Sequence, residues 1–241
     1  MQWRTPPCSA CAPNRRQLVP EYRSCKDRRL CDLVESGLLA RCYLETLDEY
    51  EAAQRQLLRG ANDLQRTLAD PFPCRDDFIQ EVKRSHRLLF QYVLPGEAGR
   101  FRDKPQGELD EVVFGGSGRN RREGSQFDRI ELDLQVAHVH AMAVPNIGLV
   151  GAAARLLAQV LRVHPFHDGN GRIARALVTR LLASHKFYVP AWNTSGAGRR
   201  SYIKALEYAH SRVDTNAPRP YQWLEKWLRP QVFSVPDDGD A

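Results

Sequence analysis

The chain has 241 residues, 42% hydrophobic and 27% charged, which is enough apolar content for a packed core and enough charge for an aqueous surface. No apolar run is long enough to cross a bilayer as a helix, so a membrane span is excluded. The net charge of +6 comes from 29 arginines and 6 lysines against 29 acids; such a surface admits phosphate-bearing or acidic partners but identifies none.

The first residues, MQWRTPPCSACAPNRR, lack the apolar core of a secretory signal, which makes the cytoplasm the expected location. Residues 1–44 read as a Cys-rich arm and a first helix, residues 45–213 as the main domain, and residues 214–241 as a final helix with a polar tail. All six cysteines fall in the first third, and a disulfide framework is not expected in a cytosolic chain of this size. Cys8, Cys11, Cys25 and Cys31 offer four thiolates to a zinc ion. The five residues between Cys25 and Cys31 exceed the usual ligand spacing, however, and ordinary reduced cysteines are the preferred reading.

From Thr46 an amphipathic pattern runs through Leu47, Tyr50, Leu57, Leu58, Leu64 and Leu68 at helical spacing. The prolines of ADPFPC stop it. Asp76 or Asp77 then caps a helix carrying Phe78, Ile79, Val82, Leu89, Phe90 and Val93. A Gly-rich, charged stretch follows, in which Val112, Val113 and Phe114 before Gly115 form the one plausible hairpin. Helical periodicity resumes at Ile130 and stops near Pro145. Asn146 is then placed to cap IGLVGAAARLLAQVLRV, which is apolar nearly all round and therefore a buried central helix. A second buried helix, RIARALVTRLLASHKF, has Ile173, Leu177 and Leu181 on one line and Ala174, Val178 and Leu182 beside it. An exposed NTSGAGRR leads to the helix SYIKALEYAHSRV, and a short helix lies near Tyr221 to Leu228. The class is all-α with one small β-hairpin.

Between the two buried helices stands HPFHDGNGRIAR, residues 164–175. Gly169 and Gly171 flank Asn170 where a helix must begin, so backbone N–H groups converge there beside the positive end of the helix dipole. Arg172 and Arg175, three apart, face the same way and suit phosphate oxygens. Asp168 puts one carboxylate beside those phosphates, as a bridging Mg²⁺ requires. His164 has the pKa of a general base near neutrality. Phe166 is read as the loop's anchor in the core. The sum is a site for a nucleoside di- or triphosphate with Mg²⁺ and a base that activates a hydroxyl. A calcium loop is excluded because no further acids follow at alternate positions.

This stretch resembles the signature HPFx(D/E)GNGRxxR of the Fic family, with His164, Pro165, Phe166, Asp168, Gly169, Asn170, Gly171, Arg172 and Arg175 at every fixed position. The likeness extends to RSHRLLFQYVLPGEAGRFR, which ends in the family's AG-x-x-R, to VVFGG at the place of its flap, and to RRSYIKALEYA. It spans roughly residues 45–210. The resemblance implies a compact helical domain with a β-hairpin flap. The implied activity is transfer of AMP from ATP to a Ser, Thr or Tyr hydroxyl of a target protein, with release of pyrophosphate. His164 would be the base and Asp168 the Mg²⁺ ligand. Gly169, Asn170 and Gly171 would form the anion hole, with Arg172 and Arg175 on the β/γ side. Tyr202 would flank the adenine or ribose, and Val112, Val113, Phe114 and Gly115 would clamp the target segment. His167 is read as a bystander.

The intact Gly171 and Gly169 argue against the family's phosphorylating and phosphocholine-transferring variants, while the nucleobase stays open. No (S/T)xxxE(G/N) inhibitory helix is found. Glu123-Gly124 comes nearest, and restraint is left to a small antitoxin-like partner or to a divergent helix within residues 26–68. A toxin–antitoxin pair and an effector delivered by a non-Sec route both suit such a bacterial chain. The competing reading is a basic, nucleic-acid-associated module with a vestigial nucleotide pocket. The presence of both His164 and Asp168 counts against it.

Overall fold

The stretch before residue 164 is apolar nearly all round, with only Arg155, Gln159 and Arg162 along one half-buried edge, and in the computed structural model it is the helix that others cover. The structure describes residues 47–102, 113–114, 122–194 and 196–235. Cys8, Cys11, Cys25, Cys31, Val112, Gly115 and the tail PDDGDA lie outside the described residues. The elements are α1 (Leu47–Gln65), α2 (Arg75–Phe90), β1 (Val113–Phe114), β2 (Arg122–Glu123), α3 (Ile130–Met142), α4 (Val144–Ile147), α5 (Leu149–Val163), α6 (Asn170–Ala183), β3 (Phe187–Tyr188), α7 (Gly196–Asp214), α8 (Gln222–Leu228) and β4 (Phe233–Ser234). The protein is all-α with small antiparallel strand pairs. No described helix is long and apolar enough to cross a membrane.

The chain divides into two units, residues 1–65 with 84–100 and residues 66–83 with 101–241. In the first, α1 meets the end of α2 at Gly60, where a Cβ would collide with the Leu89 carbonyl. Asp63 accepts hydrogen bonds from the Tyr92 hydroxyl (2.9 Å) and from Gln91 (3.2 Å). Leu64 is buried and Leu58 is exposed, so only one edge of the apolar line read in α1 faces inward. The buried His86 accepts the Gly99 N–H through Nδ1 (2.9 Å) and stacks on Phe90.

In the second unit α5 packs against α3, α6, α7 and α8. Its run Gly151–Ala154 is small enough to admit close neighbours, and Leu156, Leu157, Val160 and Val163 are fully buried. Both apolar lines read in α6 are buried as well. Arg180 on that helix is the surprise: it is 4% exposed, ion-paired with Glu81 and donating to the Pro71 carbonyl at 2.6 Å. The buried His138 sits between Phe72 and Phe78, with Nε2 3.2 Å from the Pro73 carbonyl.

Four boundaries differ from the sequence reading. Asp76 and Asp77 fall inside the first turn of α2, where they favour the dipole rather than cap it. Gly148, not Asn146, caps α5 with φ 73°, because Val144–Ile147 forms a turn of its own around Pro145. α6 ends at Ala183, and Phe187–Tyr188 pairs with Phe233–Ser234 as a second strand pair. α7 begins at Gly196 within the segment read as exposed; a Cβ at Gly198 would displace the end of the Asn193 side chain.

Truncating one member of a buried ion pair strands the other. Arg180→Met is expected to lower unfolding free energy in urea by roughly 3 kcal/mol. Arg180→Met combined with Glu81→Leu should recover much of it; simple additivity of the two substitutions would refute the coupling.

Candidate active site

α5 must stop and α6 must start within six residues, and two left-handed residues make the link. His164 is the C-cap of α5 with φ 51°, and Gly169 is the N-cap of α6 with φ 77°. Phe166 is fully buried and packs on Phe101 with ring centroids 5.2 Å apart, as its anchoring role requires. The Asn170 side chain, itself buried, accepts the Phe166 N–H through Oδ1 (2.9 Å) and donates to the Phe166 carbonyl through Nδ2 (2.8 Å). That staple was not legible in the sequence reading, which counted Asn170 for its backbone alone.

At the start of α6 the N–H groups of Arg172 and Ile173 both turn back to the Gly169 carbonyl (2.9 and 3.0 Å). Those of Asn170 and Gly171, earlier in the first turn, have no intrahelical acceptor. Gly169 N–H donates to Asp168 Oδ1 (2.5 Å). Asp168 lies close enough to Arg172 to favour its charge, while burial and the neighbouring Arg175 disfavour it. Arg172 Nη1 is buried without a hydrogen-bond partner, and such an orphan is expensive unless a ligand meets it. Arg175 lies beside Gly171, where a Cβ would come within 3.3 Å of Nη1. The backbone of α6, Asp168, Arg172 and Arg175 are thus brought together as the sequence reading expected. Tyr202 also adjoins Arg175, but its ring is buried against Trp227 (4.7 Å), and burial pushes its hydroxyl pKa up.

His164 is largely enclosed. Burial lowers its pKa to about 4; a hydrogen bond to the Leu161 backbone works the other way, and the charges of Arg102 and His167 add to the lowering. Its imidazole is therefore neutral throughout the physiological range. His167 is no bystander electrostatically, since it bears on the His164 ring.

Of the flap residues, Val113 and Phe114 pair with Glu123 and Arg122. The strand containing Glu123 leads directly to Gly124, where a Cβ would lie 3.1 Å from His164 Cβ, and to Ser125, whose N–H donates to the Val163 carbonyl (3.1 Å). Glu123, the nearest match to an inhibitory glutamate, belongs to a strand and not to a helix. Arg102, the last residue of the AG-x-x-R read in the sequence, completes this wall; no role for it was legible there. Among the described residues no group of three or more His, Cys, Asp or Glu side chains is placed to hold a metal ion alone.

Residues 77–182 match the Fic/DOC family. The chain carries a Fic/DOC-family domain. The fold is similar to that of the N-terminal Fic domain of a VirB-translocated Bep effector protein from Bartonella quintana, solved with bound ADP: TM-score 0.56 and 17% identity, over 80% of this chain and 89% of that one. It is similar to BepC from Bartonella tribocorum with bound AMPPNP (TM-score 0.56, 15% identity, 80% and 90% covered). A Fic-domain-containing signaling protein from Bacteroides thetaiotaomicron is also alike (TM-score 0.52, 18% identity, 82% and 75% covered).

The lowered pKa of His164 in this Fic domain is also a stability statement. The unfolded chain binds this proton below the ordinary value of 6.5, whereas the folded chain resists it down to about 4. Full stability therefore holds above pH 6.5 and is lost as pH falls toward 4. His138 and His140 shift in the same direction, so the test is a difference. His164→Gln should remove on the order of 2 kcal/mol of the acid destabilisation seen in urea melts between pH 7 and pH 4; identical slopes would show that His164 titrates normally.

Proposed function

We propose that this Fic domain is a protein nucleotidyltransferase that moves AMP from ATP to a Ser, Thr or Tyr hydroxyl of a target protein. The observation that carries the reading is the pairing of Arg172, whose Nη1 is buried without a partner at the start of α6, with a histidine held neutral at the end of α5. The first is what an oxyanion of a polyphosphate satisfies, and the second is what a general base must be before it takes a proton. The ADP and AMPPNP bound by the two Bartonella proteins support a nucleotide as the ligand.

In the proposed step His164 takes the proton of the target hydroxyl as its oxygen attacks the α-phosphorus. A new P–O bond forms to the target and the bond between the α-phosphorus and the α–β bridging oxygen breaks. Pyrophosphate leaves carrying that electron pair. The N–H groups at the start of α6 hold the α- and β-phosphates, and Arg172 and Arg175 hold the departing side, where negative charge grows. One carboxylate together with substrate phosphates suits Mg²⁺. Asp168, with Oδ1 already oriented by the Gly169 N–H, is the residue that would hold it. Bound there, the ion neutralises phosphate charge. The edge of β1, with its flanking Val112 and Gly115, would take the target segment as an added strand. Restraint would come from a small inhibitory protein or from residues 26–68.

The test is incubation with Mg²⁺, a bacterial or host-cell lysate and ATP labelled at the α- or γ-phosphate. Label from the α position is expected on protein and label from the γ position is not. His164→Ala should lower incorporation at least about a hundredfold, and Arg172→Ala should weaken ATP binding measured directly. Transfer of the γ label would replace this reading with phosphorylation, and absence of any nucleotide binding would end it.

A further inference from the structure

The carbonyls at the end of α5 need donor partners, and one residue supplies most of them. Arg102 is 8% exposed. Its Nε donates to the His164 carbonyl (2.7 Å) and its Nη2 to the Val163 carbonyl (3.1 Å) and the Ser125 carbonyl. Its backbone N–H donates to the Pro165 carbonyl (3.1 Å). Three successive carbonyls, 163 to 165, thus converge on a single residue, which is possible because the left-handed turn at His164 points them to one side.

Arg102 also stands where the chain departs toward the β1–β2 hairpin, and Ser125 stands where it returns. The Nη2 bond to Ser125 ties these two ends together, and the Ser125 N–H on the Val163 carbonyl ties them both to the end of α5. Gly124 is packed into the same junction: a Cβ there would lie 2.9 Å from Arg102 Nη2 and 3.1 Å from His164 Cβ. Among the described residues Arg102 forms no ion pair, so its charge is shared only with carbonyl dipoles.

We propose that Arg102 is a positioning residue for the base. It fixes the left-handed backbone of His164 and, through the same guanidinium, closes the stem of the hairpin against it. The hairpin and the base are then one mechanical unit, and the substrate segment that the hairpin holds is set at a fixed height over the imidazole. This inference rests on the reading of His164 as the base. The charged or titratable groups that bear on the His164 ring are Arg102, from the segment preceding the hairpin, and His167, from its own loop. Both carry or gain positive charge, so removing Arg102 relieves repulsion on a protonated ring and loosens its enclosure together.

The experiment is a histidine-selective ¹³C NMR titration of full-length wild type, Arg102→Met, Arg102→Lys and Gly124→Ala, with the His164 resonance assigned by its loss in His164→Gln. Arg102→Met should move the His164 midpoint upward by roughly one pH unit. Gly124→Ala, which keeps every side chain and adds a methyl to the junction, should move it the same way by less. Where label transfer is measurable, both should lower kcat at least about tenfold with KM for ATP unchanged, because the start of α6 is untouched. Arg102→Lys keeps the charge but not the fork, and should lower kcat while leaving the midpoint low. A folded Arg102→Met with the wild-type midpoint would reduce Arg102 to a structural brace and overturn the proposal. Should Arg102→Met fail to fold, an unmoved midpoint in Gly124→Ala overturns it equally. Absence of transfer in wild type would strike the proposed function and leave the titration to judge Arg102 separately.

Discussion

Two buried helices, α5 and α6, are joined by a link too short to hide its own backbone, and the site follows from how the two exposed helix ends are treated. A helix that stops leaves carbonyls without donors, and a helix that starts leaves N–H groups without acceptors. Here the protein treats the two unequally. The carbonyls at the end of α5 are met by Arg102 and Ser125. The first N–H groups of α6 receive no such internal cap; the Asn170 side chain turns back to Phe166 instead of capping the helix. An end that is fully satisfied becomes a rigid mount for His164. An end that is left open becomes a place where an anion is stabilised.

The electrostatics follow from that asymmetry. Arg102, Arg172 and Arg175 crowd around a loop that contains one carboxylate, Asp168. Burial disfavours the charges of Arg102 and Arg172, and at Arg172 the neighbouring Arg175 adds to it. Cations crowded in this way are the arrangement that an anionic ligand of the proposed kind would relieve. At His164 burial is the main reason that a proton is kept off the ring, and the charges of Arg102 and His167 add to it.

Much of this was legible in the chain because it is local. HPFHDGNGRIAR places the base, the acid, the glycine turn and both arginines within one helix–loop–helix, and a site made of near neighbours can be read from spacing. The buried faces of α5 and α6 were likewise carried by periodicity. What escaped depends on contacts between distant segments. Arg102 stood at the end of the AG-x-x-R stretch, but the carbonyls it meets lie about sixty positions later, and Arg180 meets Glu81 about a hundred positions earlier; no spacing in the sequence marks either contact. The β3–β4 pair escaped for the same reason, since two residues from each of two segments carry no alternation. Asn146 failed as a cap because Pro145 begins a turn of its own and Gly148 tolerates φ 73°, a choice made by backbone geometry and not by side-chain chemistry. Tyr202, read as flanking the adenine or ribose, adjoins Arg175, and the stack on Trp227 that buries it is a tertiary fact.

One local rule is broken at the centre of the site, and the breach is informative. Position 164 takes φ 51°, where glycine would fit without steric cost and a side chain costs on the order of 1 kcal/mol. Glycine would leave no imidazole at this position, and in the proposed reaction the residue that turns the chain also accepts a proton, so the histidine bears the strain. The strain persists only where the surroundings over-determine the conformation. The Arg102 bond to the His164 carbonyl, a charge-assisted contact worth roughly 1.5–3 kcal/mol when formed in a buried setting, is larger than the cost it offsets. The left-handed turn is therefore held from outside the motif, by a residue about sixty positions before it.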